Sequence, residues 1–249
     1  MVEKSTSEYV PSDWKKAFLD DSNFEQEKPF CYELCQALFE EAAKDVNNLN
    51  LYYLLRPIWE ITKGFKTISS ALSIGFSDIT EKVQTWRSIY KTYYSDCNTV
   101  QEIIEKEISL GIHECNGDNN SDKGHKKKTK YYEYISGTRT LLRLTWFLDF
   151  FVNILSNTLT LEKKDFSDCV KIAYEKALAP HHGWLVRKGA SLGMSFVSGK
   201  REKGLSAFFH REAFDDQTKK DLERWIAPAL KLWTYLNNYY TEKKFLELP

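Results

Sequence analysis

The 249 residues predict an all-α protein whose seven or eight helices stack in layers. Three observations lead there. Apolar residues recur at three- and four-residue spacing through most of the chain, no segment shows sustained period-two alternation between hairpin turns, and no repeat of solenoid period appears. With 42% hydrophobic residues the chain can bury a sizeable core, which suits one domain with an N-terminal extension.

Taken in order, residues 1–29 mix charge, small polar residues and two prolines, and read as a polar tail with at most a short helix near Trp14 to Leu19. From Phe30 to Val46 the residues Tyr32, Leu34, Cys35, Leu38, Phe39, Ala42 and Ala43 mark an amphipathic helix that stops at Asn47-Asn48. We assign 30–50 to an extra N-terminal helix packed on a main domain, 51–249. Leu51 to Ser70 reads as a helix with Pro57 in its first turns, and Ala71 to Tyr94 as the next. Asn98 to His113 carries Val100, Ile103, Ile104, Ile108 and Ile112 on one stripe. Asn116 to Lys130, NGDNNSDKGHKKKTK, has no apolar residue and predicts a basic, solvated surface loop inserted in the domain. Tyr131 to Leu155 is the most apolar helix. Asp165 to Ala179, Gly183 to Val197 and Gln217 to Tyr240 complete the set, with a kink expected at Pro228.

Composition narrows the function classes. Thirty-five basic residues balance 35 acidic ones, which argues against a general nucleic-acid binder. The five cysteines are scattered, their one close pair lies at helical spacing, and no metal-ligand cluster is evident, so reduced thiols in a cytoplasmic setting and no metal or cofactor are expected. The N-terminus lacks the apolar core of a signal peptide. The nearest approach to a membrane span, Leu144 to Leu161, carries Asp149, Asn153 and Asn157, which lipid would tolerate poorly.

Charges inside apolar stretches are more informative than surface charge. Asp78 and Lys82 lie four residues apart in IGFSDITEKVQTW, a spacing that serves equally for a helix-surface ion pair. Arg139 and Arg143, also four apart, continue along one helix face into Trp146, Phe147, Phe150 and Ile154. That layout suits an amphiphile with its anionic head on the arginines and its chains on the apolar stripe, because forked guanidinium donors match phosphate oxygens. The third feature is the break Ala179-Pro180-His181-His182-Gly183-Trp184-Leu185, where Pro180 interrupts one helix and Gly183 relieves the backbone before the next. His182 there reads either as a satisfied capping histidine or as a ligand group, and Trp184 as a packing anchor or a membrane contact.

The D-x3-K run at Asp78 and Lys82, the R-x3-R run at Arg139 and Arg143, and H-G-W-L-V from His182 to Val186 resemble, in that order, the glycolipid transfer protein superfamily. The resemblance covers roughly Leu51 to the C-terminus and implies a two-layer helical sandwich enclosing a single sphingolipid. It implies that Asp78 receives the ceramide amide N–H and that His182 donates to the ceramide carbonyl. The glycolipid-binding branch carries Asn where this chain has Lys82, and Trp where it has Arg143. Lys82, Arg139 and Arg143 are similar instead to the ceramide-1-phosphate branch, in which one lysine and two arginines grip the phosphate. His181, adjacent to His182, leaves the choice of histidine open; His182 is taken because it directly precedes Gly-Trp.

The reading that follows is a non-enzymatic, cytoplasmic carrier of ceramide-1-phosphate, expected to be a monomer that visits membranes transiently. A glycosphingolipid carrier and a sphingolipid sensor or scaffold are the alternatives. Trp184 and Leu185 are expected in membrane docking or in the pocket, bordered by Arg187, Lys188, Lys200 and Arg201. Lys126, Lys127 and Lys128 would add attraction to anionic membranes.

Overall fold

The computed structural model describes residues 9–68, 70–117, 134–161, 163–209 and 213–249. Among them it forms ten α-helices: α1 (Trp14–Leu19), α2 (Tyr32–Lys44), α3 (Leu51–Ile68), α4 (Ser70–Tyr93), α5 (Val100–Leu110), α6 (Gly137–Thr160), α7 (Phe166–Ala177), α8 (Trp184–Ser195), α9 (Arg201–Phe209) and α10 (Asp216–Lys243). Eight match the expected helices. The short α1 lies where the sequence allows a short helix, near Trp14 to Leu19, and the addition is α9, whose nine residues are too few for a clear apolar period. Pro57 and Pro228 both lie inside single helices, so Pro228 does not end α10.

The fold is the two-layer helical sandwich. Helix α3 packs between α2 and α4, and α6 packs against α7 and α10; α4 on α6 and α10 on α2 bring the two sets face to face. Phenylalanines fill the space between them. Phe65 lies 4.5 Å from Phe76 and 5.2 Å from Phe208 between ring centroids, and Phe76 lies 5.4 Å from Phe147. Gly64 permits a close approach, since a Cβ there would stand 2.5 Å from the Phe208 ring.

Residues 9–29 are not a polar tail. Phe18 and Phe24 are buried in the main core, and Arg87 ties the segment down by donating to the Phe18 carbonyl (2.8 Å) and the Asp21 carboxylate (2.9 Å). Two isolated aromatics in a charged stretch leave no periodic signal, yet each buries enough apolar surface to anchor a short segment. The expected basic loop falls mostly at 118–133, outside the described residues, and Lys126, Lys127 and Lys128 with it. Its N-terminal shoulder is held by an isolated antiparallel bridge between Asn116 and Ile135. No helix of the described residues is long and apolar enough to cross a membrane.

Candidate lipid head-group site

A buried carboxylate sets the start of α6, the helix that carries both arginines. Glu107, on α5, is wholly buried and accepts from the Gly137 N–H (2.6 Å), the Thr138 N–H (2.8 Å), the Thr138 hydroxyl (2.5 Å), the Ser136 hydroxyl (2.8 Å) and the Tyr134 hydroxyl (2.5 Å). Those backbone donors are the ones a helix N-terminus leaves without intrahelical partners, and the positive end of the helix dipole favours the charge. The Ser136 side chain caps the helix by accepting from the Arg139 N–H. Gly137 is required by the approach of α4: a Cβ would meet the Ile89 side chain at 2.7 Å.

From this origin α6 carries Arg143, Trp146 and Phe147 along one wall of a cavity of about 710 Å³. Phe76, Asp78 and Ile79 of α4 form a second wall, the turn between α7 and α8 a third, and Leu246, Glu247 and Leu248 the rim. Polar groups thus meet at the mouth and Phe76, Ile79 and Phe147, all buried, lie on the walls towards the aromatic core.

Asp78, Arg143 and His182 line this one cavity. Lys82, one turn along α4, is hydrogen-bonded and ion-paired to Asp78, so the two form a surface pair in which the lysine is the more covered partner. Arg139 sits one turn before Arg143 and shares an acceptor with it. Arg143 donates to the carbonyls of Arg139 (3.0 Å), Leu248 (3.0 Å) and Pro249 (2.5 Å), and Arg139 also donates to the Pro249 carbonyl. The hydrogen-bond partners of the two arginines are therefore main-chain oxygens, supplied in part by residues 248 and 249. Burial, with the Arg139 charge beside it, draws the Arg143 guanidinium down to about 10, which still leaves it charged at neutral pH.

The turn holds both histidines on the cavity. Pro180 lies inside the 3-10 turn Ala179–His181, and His182 is extended before α8 begins. Gly183 has φ −66° and open space around its missing Cβ, so it relieves no strain, contrary to the sequence expectation; any residue could adopt that backbone. His182 Nδ1 lies 3.0 Å from the hydroxyl of Tyr174, itself buried on α7. With the hydroxyl donating to Nδ1, the proton of the neutral ring stands on Nε2. Burial lowers the titration of His182 and of His181, favouring neutral rings. His181 stacks on Trp146 with ring centroids 3.7 Å apart and planes 1° from parallel. Sequence reasoning missed Tyr174 as the support of His182 and residues 246–248 as the rim, since no local pattern marks either.

Trp184 and Leu185 do not line the cavity. They stand on the first turn of α8 with 69% and 75% of their surface exposed, beside exposed Val186, Leu192 and Phe196. Lys188 lies over the Trp184 ring at 4.1 Å. Arg201 is not part of that border: its guanidinium donates to the carbonyls of Thr158 (2.8 Å), Leu161 and Lys164, closing the C-terminal end of α6.

A helical sandwich with cationic, carboxylate and imidazole groups at the mouth of an otherwise apolar cavity defines the class of proteins that shelter an amphiphile. The family described as Glycolipid transfer protein (GLTP) matches residues 50–203, and the chain belongs to it. It is 33% identical over 111 residues to accelerated cell death 11 of Arabidopsis thaliana, a match covering 44% of this chain and about half, 52%, of that relative. It is 22% identical over 170 residues to a glycolipid transfer protein of Aureobasidium melanogenum, covering 68% of this chain and 71% of the relative. Among solved structures it is similar in fold to human ceramide-1-phosphate transfer protein in complex with ceramide-1-phosphate, with TM-score 0.73, 18% identity, and 89% of this chain and 100% of that one covered. A variant of Arabidopsis accelerated-cell-death 11 complexed with ceramide-1-phosphate superposes with TM-score 0.67 and 21% identity, covering 85% of this chain and 94% of that one.

Proposed function

We propose that the protein is a non-enzymatic carrier of a phosphorylated ceramide, ceramide-1-phosphate, which it takes from one membrane and delivers to another on the cytoplasmic side. The observation that carries this reading is that Arg143, Asp78 and His182 line one cavity whose walls run into a phenylalanine core, with Lys82 paired to Asp78 and Arg139 sharing an acceptor with Arg143. The three cations meet the phosphate. Asp78 accepts from the ceramide amide N–H, and His182 Nε2–H donates to the ceramide carbonyl. The chains pass Phe76 and Phe147 into the core, where each methylene withheld from water contributes ~0.8 kcal/mol. Lipid transfer by other members of the family, and the human and Arabidopsis proteins that hold ceramide-1-phosphate, support the same assignment.

A neutral sugar head group fits less well. It calls for an open aromatic plate, and the Trp146 ring is already covered by His181. The exposed apolar face of α8, with Trp184 and Leu185 leading and Lys188 at its edge, is the surface we assign to transient contact with the lipid headgroup boundary, made by a monomer.

The experiment is mass spectrometry of lipid co-purifying with the full chain, followed by vesicle-to-vesicle transfer of that lipid. The expected outcome is ceramide-1-phosphate, transferred and recovered unchanged after long incubation. Faster movement of neutral glycosylceramide would overturn the phosphate assignment, tight binding without transfer would make the protein a sensor, and lipid consumed in the assay would make it an enzyme.

A further inference from the structure

The rim of the cavity, Leu246, Glu247 and Leu248, belongs to the segment 245–249, and the contacts of that segment are those a head group needs. Helix α10 ends at Lys243, and Lys244 takes the left-handed conformation (φ 60°) that reverses the chain. Phe245 then donates its N–H to the Tyr240 carbonyl (2.8 Å) and stacks on His113 at 4.9 Å, while Leu248 is buried in the core. This leads the carbonyls of Leu248 and Pro249 onto Arg139 and Arg143, and sets Glu247 on the cavity lining.

Two features separate this contact from an ordinary structural clasp. The acceptors are the main-chain oxygens of Leu248 and Pro249, which carry less charge than the roughly −1.5 to −2 of a phosphate monoester. The segment is also short, held chiefly by one buried leucine and one ring contact, so it can leave without unravelling a helix. An anionic head group entering beside a seated segment would face Glu247 and the oxygens of Leu248 and Pro249, whereas one that displaces it inherits both forks.

We propose that residues 245–249 form a displaceable strap that competes with the lipid head group for Arg139 and Arg143, and so sets the discrimination between phosphorylated and neutral ceramide. The proposal rests on the head-group reading above. A phosphate monoester carries enough charge to take the arginines from the strap. Ceramide ends in a hydroxyl, and the strap excludes it.

The test is hydrogen exchange of the Leu248 amide in the full chain, which donates to the Phe245 carbonyl (3.3 Å) when the strap is seated, together with binding by Leu248→Asp, which places a charge at a buried position. Short-chain ceramide-1-phosphate is expected to speed exchange at Leu248 at least several-fold, and short-chain ceramide to leave it unchanged. Leu248→Asp is expected to bind ceramide-1-phosphate more tightly and to narrow its preference over ceramide about tenfold, equivalent to ~1.4 kcal/mol. Unchanged exchange at Leu248 in the ceramide-1-phosphate complex would overturn the strap. So would a folded Leu248→Asp protein that binds ceramide-1-phosphate more weakly. If Leu248→Asp does not fold, the wild-type exchange measurement decides alone. If the wild type binds no ceramide-1-phosphate, the head-group reading fails, and millimolar inorganic phosphate then reads the strap by itself: faster Leu248 exchange supports competition for the arginines, and no change removes it.

Discussion

Helix α6 withdraws charge from water at two places a turn apart, and it treats them in opposite ways. At its start Glu107 receives five donors from Tyr134, Ser136, Gly137 and Thr138. One turn on, Arg139 and Arg143 donate to main-chain oxygens, two of them in residues 248 and 249. A buried charge with its full complement of donors is committed to the fold, because removing it strands buried donors. A charge held by a few replaceable main-chain oxygens remains available to a better partner. The difference between a structural charge and the proposed ligand-binding charges along this helix therefore lies in how completely each is satisfied, more than in how deeply it is buried.

The largest expected effect comes from breaking the committed side. Glu107→Ala takes the acceptor from the Gly137 and Thr138 N–H groups and the Thr138 hydroxyl, while Ser136 and Tyr134 keep the His113 carbonyl and the Tyr94 hydroxyl, and should cost about 3 to 5 kcal/mol, the range for stripping one member from a buried charged network. For a chain of this size that lowers Tm by on the order of 10 °C. A thermal melt that barely moves would show that the clasp is not what holds α6.

Arg143→Leu tests the available side. It removes three hydrogen bonds to carbonyls but also the cost of covering a guanidinium, so Tm should shift by no more than about 3 °C. Ceramide-1-phosphate transfer should fall by at least tenfold, and Lys82→Ala should do the same without a measurable melt shift, since its partner Asp78 is largely exposed. Unfolding by Arg143→Leu would place both charges of α6 in the structural class.

The smallest effect on the fold is expected at Trp184. With 69% of its surface exposed, Trp184→Ala should change stability by less than about 0.5 kcal/mol. Adsorption to phospholipid vesicles, read by co-sedimentation, should drop several-fold while binding of short-chain lipid in solution stays as it was. A Trp184→Ala protein that melts early instead would return Trp184 to the role of packing anchor.

Local rules determined what depends on neighbours in the chain. The 3.6-residue period decides that Asp78 and Lys82, or Arg139 and Arg143, share a helix face, and Pro180 decides where one helix must stop. The all-α class and eight of the ten helices follow from the same rules, as did the resemblance that rests on those motifs. Only the tertiary structure could decide which of these faces meet. It brought α4, α6 and the turn before α8 around one cavity, paired Tyr174 with His182, and laid His181 on Trp146. It also buried Phe18 and Phe24, which carry no period, and corrected the role of Gly183, whose backbone is ordinary. Above all it returned residues 245–249 to the arginines and placed Glu107 of α5 beneath the start of α6. A carbonyl or carboxylate that reaches a donor from a distant segment leaves no spacing in the sequence, because its position is set by how whole helices pack.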